Sequence, residues 1–328
     1  MTIPSLSTHI VDVLVPTRLD RYLRRLNLNL TQAIIEKLLR LGYVKLNGHK
    51  TQACIRVLNG DHLSLHESID LNNEPQSGAT KTFSLSTQLL AHKLLNEYMV
   101  YSDDNLLAIN KPSGLATQGG SKIKISVCDA LSYLNSLKSR PCPNSNISHD
   151  FKLVHRLDKD TSGLLLIAKN YAAAYQLSAA FKEQKITKTY LAIVTKRPPE
   201  IAGVIEGMLW KCRTGAYDKI SDSNSDHGKI AITHYQTLAS NDKISLLELI
   251  PYTGRMHQLR FHALKLGCPI VGDKKYCAVD SVKDSDHLLL HAKKIVIPRS
   301  LWAAEIVIEA ELPQYFKNKI KEINANIE

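Results

Sequence analysis

The chain has 328 residues, 44% hydrophobic and 22% charged, a balance that excludes a disordered polyelectrolyte and suits a globular protein of about two domains. Its 42 Lys and Arg against 31 Asp and Glu give a net charge of +11, which fits a polyanionic partner better than an acidic one. No apolar run approaches the roughly 20 residues of a spanning helix, the opening MTIPSLSTHIVDVLV lacks the regions of a signal peptide, and the six cysteines form no C-x-x-C pair; a cytoplasmic protein without membrane contact is expected.

In chain order, RLDRYLRRLN places Leu19, Tyr22, Leu23 and Leu26 on one helical stripe, with Arg24 and Arg25 off it. Thr31 is positioned to cap a second helix, AIIEKLLRL, and Gly42 to stop it. YVKLNGHK then alternates like a strand and turns at Asn47-Gly48, and NGDHLSL adds a further turn and strand. Residues 1–66 are therefore read as a small α/β domain, with Arg24, Arg25, Lys37, Arg40, Lys45 and Lys50 as surface cations. Residues 67–95, polar and weakly periodic at their start, are read as a linker.

Residues 96–328 are read as the second domain. YMVYSDDNLLAINKP predicts strand, turn, strand, and SGLLLIAK a buried strand. The Ala-rich NYAAAYQLSAAFKEQK predicts a helix, and TKTYLAIVTKR, AITHYQTL and ISLLELIP predict three more strands. RMHQLRFHALKLG predicts a helix with a Gly stop, and DKISDSNSDHGK at 218–229 an exposed loop. Hairpin-spaced strands outnumber helices, so the fold class is α+β, with a mixed, mainly antiparallel sheet flanked by helices.

The chemistry concentrates in KLVHRLDKDTSGLLLIAK, residues 152–169. An apolar strand must be interior, so HRLDKD just before it lies at the rim of the sheet, where catalytic groups usually sit. Spacing alone does not separate Asp158 from Asp160, and either could simply cap a turn or pair with Arg156 or Lys159. D-K-D-T is similar to the aspartyl-phosphate motif of Mg-dependent phosphatases, but His155 and Arg156 interrupt the strand that should lead into it. The pairs His257/His262 and His287/His291 lack a Glu at metalloprotease spacing, and Ser162 is not in a G-x-S-x-G elbow.

HRLDKDTSG resembles the signature of the RluA-type pseudouridine synthases, the branch that includes RluC and RluD. Further blocks resemble that family in order: INKPSGLATQGG, KTYLAIV, TGRMHQLRFH, PIVGDKKY and LLLHA. The first domain resembles an αL-type RNA-binding domain shared with a ribosomal protein. Gln118, where His is frequent, and Met256, where Thr is, depart from the pattern.

The resemblance implies a monomeric isomerase without cofactor or metal, converting uridine to pseudouridine in large-subunit ribosomal RNA. The uracil leaves ribose C1′, turns, and rejoins through carbon. It assigns the catalytic carboxylate to Asp158, a base-stacking ring to Tyr190 and the cation beside the acid to Arg255. It makes Arg156 the side chain that fills the space of the flipped base, and Lys111 a loop or phosphate contact. His155 and Asp160 become structural supports, with Asp160 expected to fix the loop through backbone N–H groups or Arg side chains. A non-catalytic RNA-binding or ribosome-assembly factor of the same fold is the alternative.

Overall fold

The structure, a computed structural model, describes residues 6–13, 16–26, 30–66, 82–120, 123–137, 150–214, 217–222, 228–276, 285–302 and 304–324. The chain forms two compact units, Met1–Thr82 and Phe83–Glu328.

The first unit contains β1 (Leu6–Ile10), β2 (Thr17–Arg18), α1 (Leu19–Leu26), α2 (Gln32–Leu41), β3 (Val44–Leu46), β4 (His49–Lys50), β5 (Arg56–Val57) and β6 (His62–His66). Leu19, Tyr22 and Leu23 of the α1 stripe are buried with Ile35, Leu39, Val44, Leu63 and Leu65. The Thr31 side chain accepts from the Ile34 N–H, and Gly42, with φ of 76°, returns its N–H to Leu38 and Leu39 carbonyls. Asn47 and Gly48 have φ of 50° and 80°, the two positive values that a tight β3–β4 hairpin needs.

The second unit begins earlier than its sequence suggests. α3 (Leu85–Asn96) occupies the end of the expected linker: Ser84 caps it, and Leu90, Ala91 and Leu94 are buried in the core of this unit. There follow β7 (Met99–Ser102), β8 (Leu106–Lys111), α4 (Val127–Leu137), β9 (Lys152–Leu153), β10 (Ser162–Ala168), α5 (Tyr171–Lys182) and β11 (Thr187–Thr195). Then come β12 (Ala202–Thr214), β13 (Tyr217–Asp222), β14 (Lys229–Ser240), β15 (Ile244–Pro251), α6 (Gln258–Lys265), β16 (Leu290–Ile297), β17 (Ile306–Glu309) and α7 (Gln314–Asn324). The loop expected at 218–229 is partly strand, since β13 pairs with β12; residues 223–227 lie outside the described residues.

One 11-stranded sheet runs β13-β12-β14-β15-β11-β16-β10-β8-β7, with β17 on β16 and β9 on β10. All its pairings are antiparallel except β10 with β16. Every residue of β10 is buried, as its unbroken apolar run requires. At Gly163 (φ 106°) β10 crosses β16 so closely that a Cβ would lie 2.3 Å from the Ala292 carbonyl oxygen. The core has two halves, one around β8, β10, α3, α4 and α5, the other around β11, β15, α6 and α7; Tyr190 of β11 packs against both. No helix among the described residues is long and apolar enough to cross a membrane.

Candidate active site

Residues 155–161 leave the rim of the central strands as a loop held from three sides. His155 accepts the Leu166 N–H at Nε2 (2.8 Å) and stacks on Phe181. Thr117 Oγ1 donates to the Leu157 carbonyl (2.8 Å) and receives the Leu157 N–H. Lys111, at the end of β8 and fully buried, donates to the carbonyls of Pro112 (3.0 Å), Leu115 (2.8 Å) and Lys159 (3.1 Å). Burial pulls the Lys111 pKa down to about 7, and the charges of Asp160 and Asp158 act against that fall. Ser113 Oγ adds a bond to the Asp160 carbonyl (2.7 Å).

The loop presents Asp158 to a cavity of about 230 Å³ lined by Tyr190, Lys188, Leu259, Leu290 and the 253–260 segment. That segment is shaped by Gln258, whose carbonyl oxygen takes the Thr253 hydroxyl (2.7 Å) and the Arg255 N–H (3.0 Å). The Gln258 amide donates to the Ile232 carbonyl and to Thr233. His257, at the start of α6, sits at φ 52°, an uncommon conformation for a side-chain-bearing residue.

Arg260, one turn into α6, brings Nη1 to 3.4 Å from Asp158 Oδ2. Its Nε and Nη2 grip Asp273 at 2.8 and 2.7 Å, a two-point pair. Asp273 is fully buried and also accepts the Lys275 and Tyr276 N–H groups. These bonds outweigh the burial penalty and hold the Asp273 carboxyl below the usual range; the two carboxylates hold the guanidinium charged despite its own burial. Asp273 follows Gly272 (φ 77°), where a Cβ would stand 1.9 Å from the His287 carbonyl oxygen.

His257 Nε2 lies 3.6 Å from the same Asp158 oxygen, and Nδ1 is 2.8 Å from the Tyr276 hydroxyl, which accepts the Ile220 N–H. Burial pushes the His257 pKa down to about 4, with Asp158 opposing the shift, so the ring is neutral at pH 7. A neutral ring facing a carboxylate carries its proton on Nε2, which makes Tyr276 the donor to Nδ1. Burial, then the Asp158 charge, raises the Tyr190 phenol well above its ordinary value.

The cavity thus brings together a carboxylate, a buried arginine and an aromatic ring. Residues 105–265 match the RNA pseudouridylate synthase family. A Rickettsia bellii protein named ribosomal large subunit pseudouridine synthase C is 47% identical over 92% of this chain and 96% of that protein. The chain belongs to the RNA pseudouridylate synthase family. A Rickettsia typhi pseudouridine synthase C is 46% identical over 94% of this chain and 98% of its own. The human RNA pseudouridylate synthase domain containing 4 matches with a TM-score of 0.60 and 27% identity, over 73% of this chain and 97% of that one.

Within this synthase, Asp158 and Tyr190 line one cavity, and Arg156 is exposed at its mouth with no ion pair among the described residues. Three expectations change. Arg255 is not the cation against Asp158: its Nε is turned to the Ile230 carbonyl (3.0 Å), and Arg260, on the inward face of α6, makes that contact. Lys111 is not a phosphate contact, because its ammonium is buried under three carbonyls. The Asp160 side chain is exposed, with no hydrogen bond or ion pair among the described residues; the loop is fixed through its backbone carbonyl.

In the first unit Arg24, Arg25, Lys37, Arg40 and Lys50 are exposed and Lys45 is half-buried. Arg40 and Lys50 line one groove with Arg18 and Gln32, and Arg24 reaches it by its bond to Gln32. Arg25 and Lys37 do not line it. Arg260, Asp273 and Tyr276 were not singled out from sequence, and His257 was weighed only as a metal ligand. Their signal was the second Arg of TGRMHQLR and the polar residues of VGDKKY. The pairs His257/His262 and His287/His291 go separate ways: His262 bonds Thr233, His287 stacks on Tyr315, and His291 bonds Ser162.

Proposed function

We propose that this synthase isomerises specific uridines of large-subunit ribosomal RNA, with Asp158 as its catalytic carboxylate. The observation that carries the reading is the Asp158 carboxylate, side chain 21% exposed, in a cavity beside Tyr190 and 3.4 Å from a buried arginine. The curated relatives named for the large ribosomal subunit, matched almost end to end, supply the substrate class.

The uridine flips out of the RNA, at a cost of a few kcal/mol of stacking and pairing. Tyr190 stacks on the base, and Arg156 fills the space left behind. Arg260 faces and aims the Asp158 carboxylate, which serves attack on C1′ and removal of the C2′ proton equally. Lys111 and His155 hold the loop that carries it. The surface cations of the first unit, led by Arg24, Arg40 and Lys50, take RNA phosphates, which position rather than specify. The synthase works as a cytoplasmic monomer without cofactor.

The test is incubation with ribosomal RNA transcripts, with and without chelator, followed by chemical mapping of pseudouridine. We expect new pseudouridine in both, and none from Asp158→Asn, which still binds RNA. Binding without product by the wild-type chain would favour an assembly factor, and product lost with chelator would contradict the cofactor-free reading.

A further inference from the structure

Two cavities meet at Asp158. Arg156, Asp158, His257 and Arg260 border both. The outer one, about 890 Å³, adds Lys159, Lys274 and Lys275 against Asp160 and Asp286, a net positive lining suited to phosphates. The inner one, about 230 Å³, is walled by Tyr190, Leu157, Pro251, Leu259 and Leu290, and suits a base.

Lys188 lines the inner cavity and not the outer. It is half-buried and has no hydrogen bond or ion pair among the described residues. Of the other cations there, Arg260 is held by Asp273, Arg255 is exposed with its Nε on a carbonyl, and Arg156 is exposed with no ion pair among the described residues; Lys188 differs from these in being half-buried without a partner. A lysine that has lost water without gaining a partner is costly unless a ligand completes it. Lys188 precedes Tyr190 by two residues on β11, and both line this cavity, although the pairing of β11 with β16 is irregular between them. A base stacked on the Tyr190 ring would present its edge to the Lys188 ammonium.

We propose that Lys188 is a catalytic cation that binds the uracil edge and stabilises the charge uracil acquires on leaving ribose. The inference rests on the synthase reading above. When C1′–N1 breaks, its electron pair goes to uracil, spreading negative charge over N1, O2 and O4. C1′ meanwhile bonds to Asp158, or C2′ gives up its proton to it. C5 then bonds C1′, the bond to Asp158 breaks or C2′ regains its proton, C5 loses its proton and N1 gains one, so no atom or electron is gained overall. The ammonium stays protonated throughout.

The experiment is single-turnover kinetics on a ribosomal RNA transcript, with wild-type activity and Asp158→Asn inactivity first confirming the synthase reading. Lys188→Met should lower the chemical rate on the order of 100-fold, with RNA affinity and its salt dependence unchanged. Lys188→Arg should recover part of the rate. The Met penalty on the cleavage step should shrink on RNA carrying 5-fluorouridine, whose more acidic ring leaves with less help; C5 there carries fluorine and has no proton to lose, so the rate read on that RNA is loss of the C1′–N1 bond, not pseudouridine formation. An unchanged rate with weaker, less salt-dependent binding would make Lys188 a phosphate contact and overturn the proposal, and so would an equal penalty on both bases. If Lys188→Met unfolds, Lys188→Gln carries the same comparison. An active wild type with a fully active Lys188 variant would sink this inference alone; an inactive wild type would sink the synthase reading.

Discussion

Arg260 stands between two carboxylates, 3.4 Å from Asp158 and 2.7 Å from Asp273, so one guanidinium is aimed by the second acid while it faces the first. The side chain is only 8% exposed, so this charge acts in a water-poor site where it is worth more than at the surface. Arg260→Met should reduce the rate of pseudouridine formation about 100- to 1000-fold, as loss of a preorganised charge does. Arg255→Met removes one bond to a backbone carbonyl and should cost roughly tenfold or less. Measuring both against the same transcript ranks the two arginines; the opposite ranking would return the role to Arg255.

Asp273 makes a structural prediction that is separable from catalysis. Asp273→Asn leaves the buried Arg260 charge with a neutral partner on one side and only the longer 3.4 Å contact to Asp158 on the other, so the loss should be about 3 kcal/mol, the low end for a broken buried pair. Urea denaturation should show that loss. Replacing both, Arg260→Met with Asp273→Leu, removes the buried charge but orphans the Lys275 and Tyr276 N–H groups, so it should recover part of the stability while the protein stays inactive. A double variant as unstable as Asp273→Asn would mean the ion pair is not the source of the loss.

How much of this was legible in the sequence follows the range of the interactions involved. The Thr31 cap, the Gly42 stop and the Asn47-Gly48 turn depend on neighbours within a few residues, and local pattern predicted them. The apolar run 163–168 announced its burial, and HRLDKD its place at the rim. Two arginines five apart in TGRMHQLR look equivalent until Gln258 fixes the turn and α6 begins. Only then does Arg260 face Asp273, thirteen residues on, and Asp158, more than one hundred residues back. The resemblance left Lys111 as either a loop or a phosphate contact; its burial, which decides for the loop, follows from the meeting of β8 with the 157–160 loop. α3 went unseen because its apolar residues follow a polar stretch and a cap, Ser84, lost among other serines and threonines.

The two kinds of lysine should separate in binding and stability measurements. Lys111→Met orphans three carbonyls around the 157–160 loop and should destabilise the second unit by roughly 3 kcal/mol. The salt dependence of RNA binding should not change. Lys50→Met or Arg40→Met should leave stability alone and reduce the slope of log affinity against log salt by about 1 each. A lowered slope for Lys111→Met would place its ammonium at a phosphate after all.

Acid stability should report on His155. Its Nε2 accepts the Leu166 N–H, which an imidazolium cannot do, and burial with the nearby Lys188 charge pushes its pKa down to about 3. In the unfolded chain a histidine titrates near 6.5. Between these values the unfolded chain binds a proton that the folded one refuses. Stability therefore falls as pH falls through this window, by about 1.4 kcal/mol per pH unit for this one group, and levels off below about 3. His257 and His291, each pushed down to about 4 chiefly by burial, act with the same sign. His155→Gln keeps an acceptor for the Leu166 N–H but cannot titrate. It should be less stable than wild type at pH 7, having lost the stack on Phe181, yet lose stability less steeply on acidification. Urea midpoints from pH 7 to pH 4 test this, since parallel pH profiles for the two proteins would show that His155 is not held neutral by the fold.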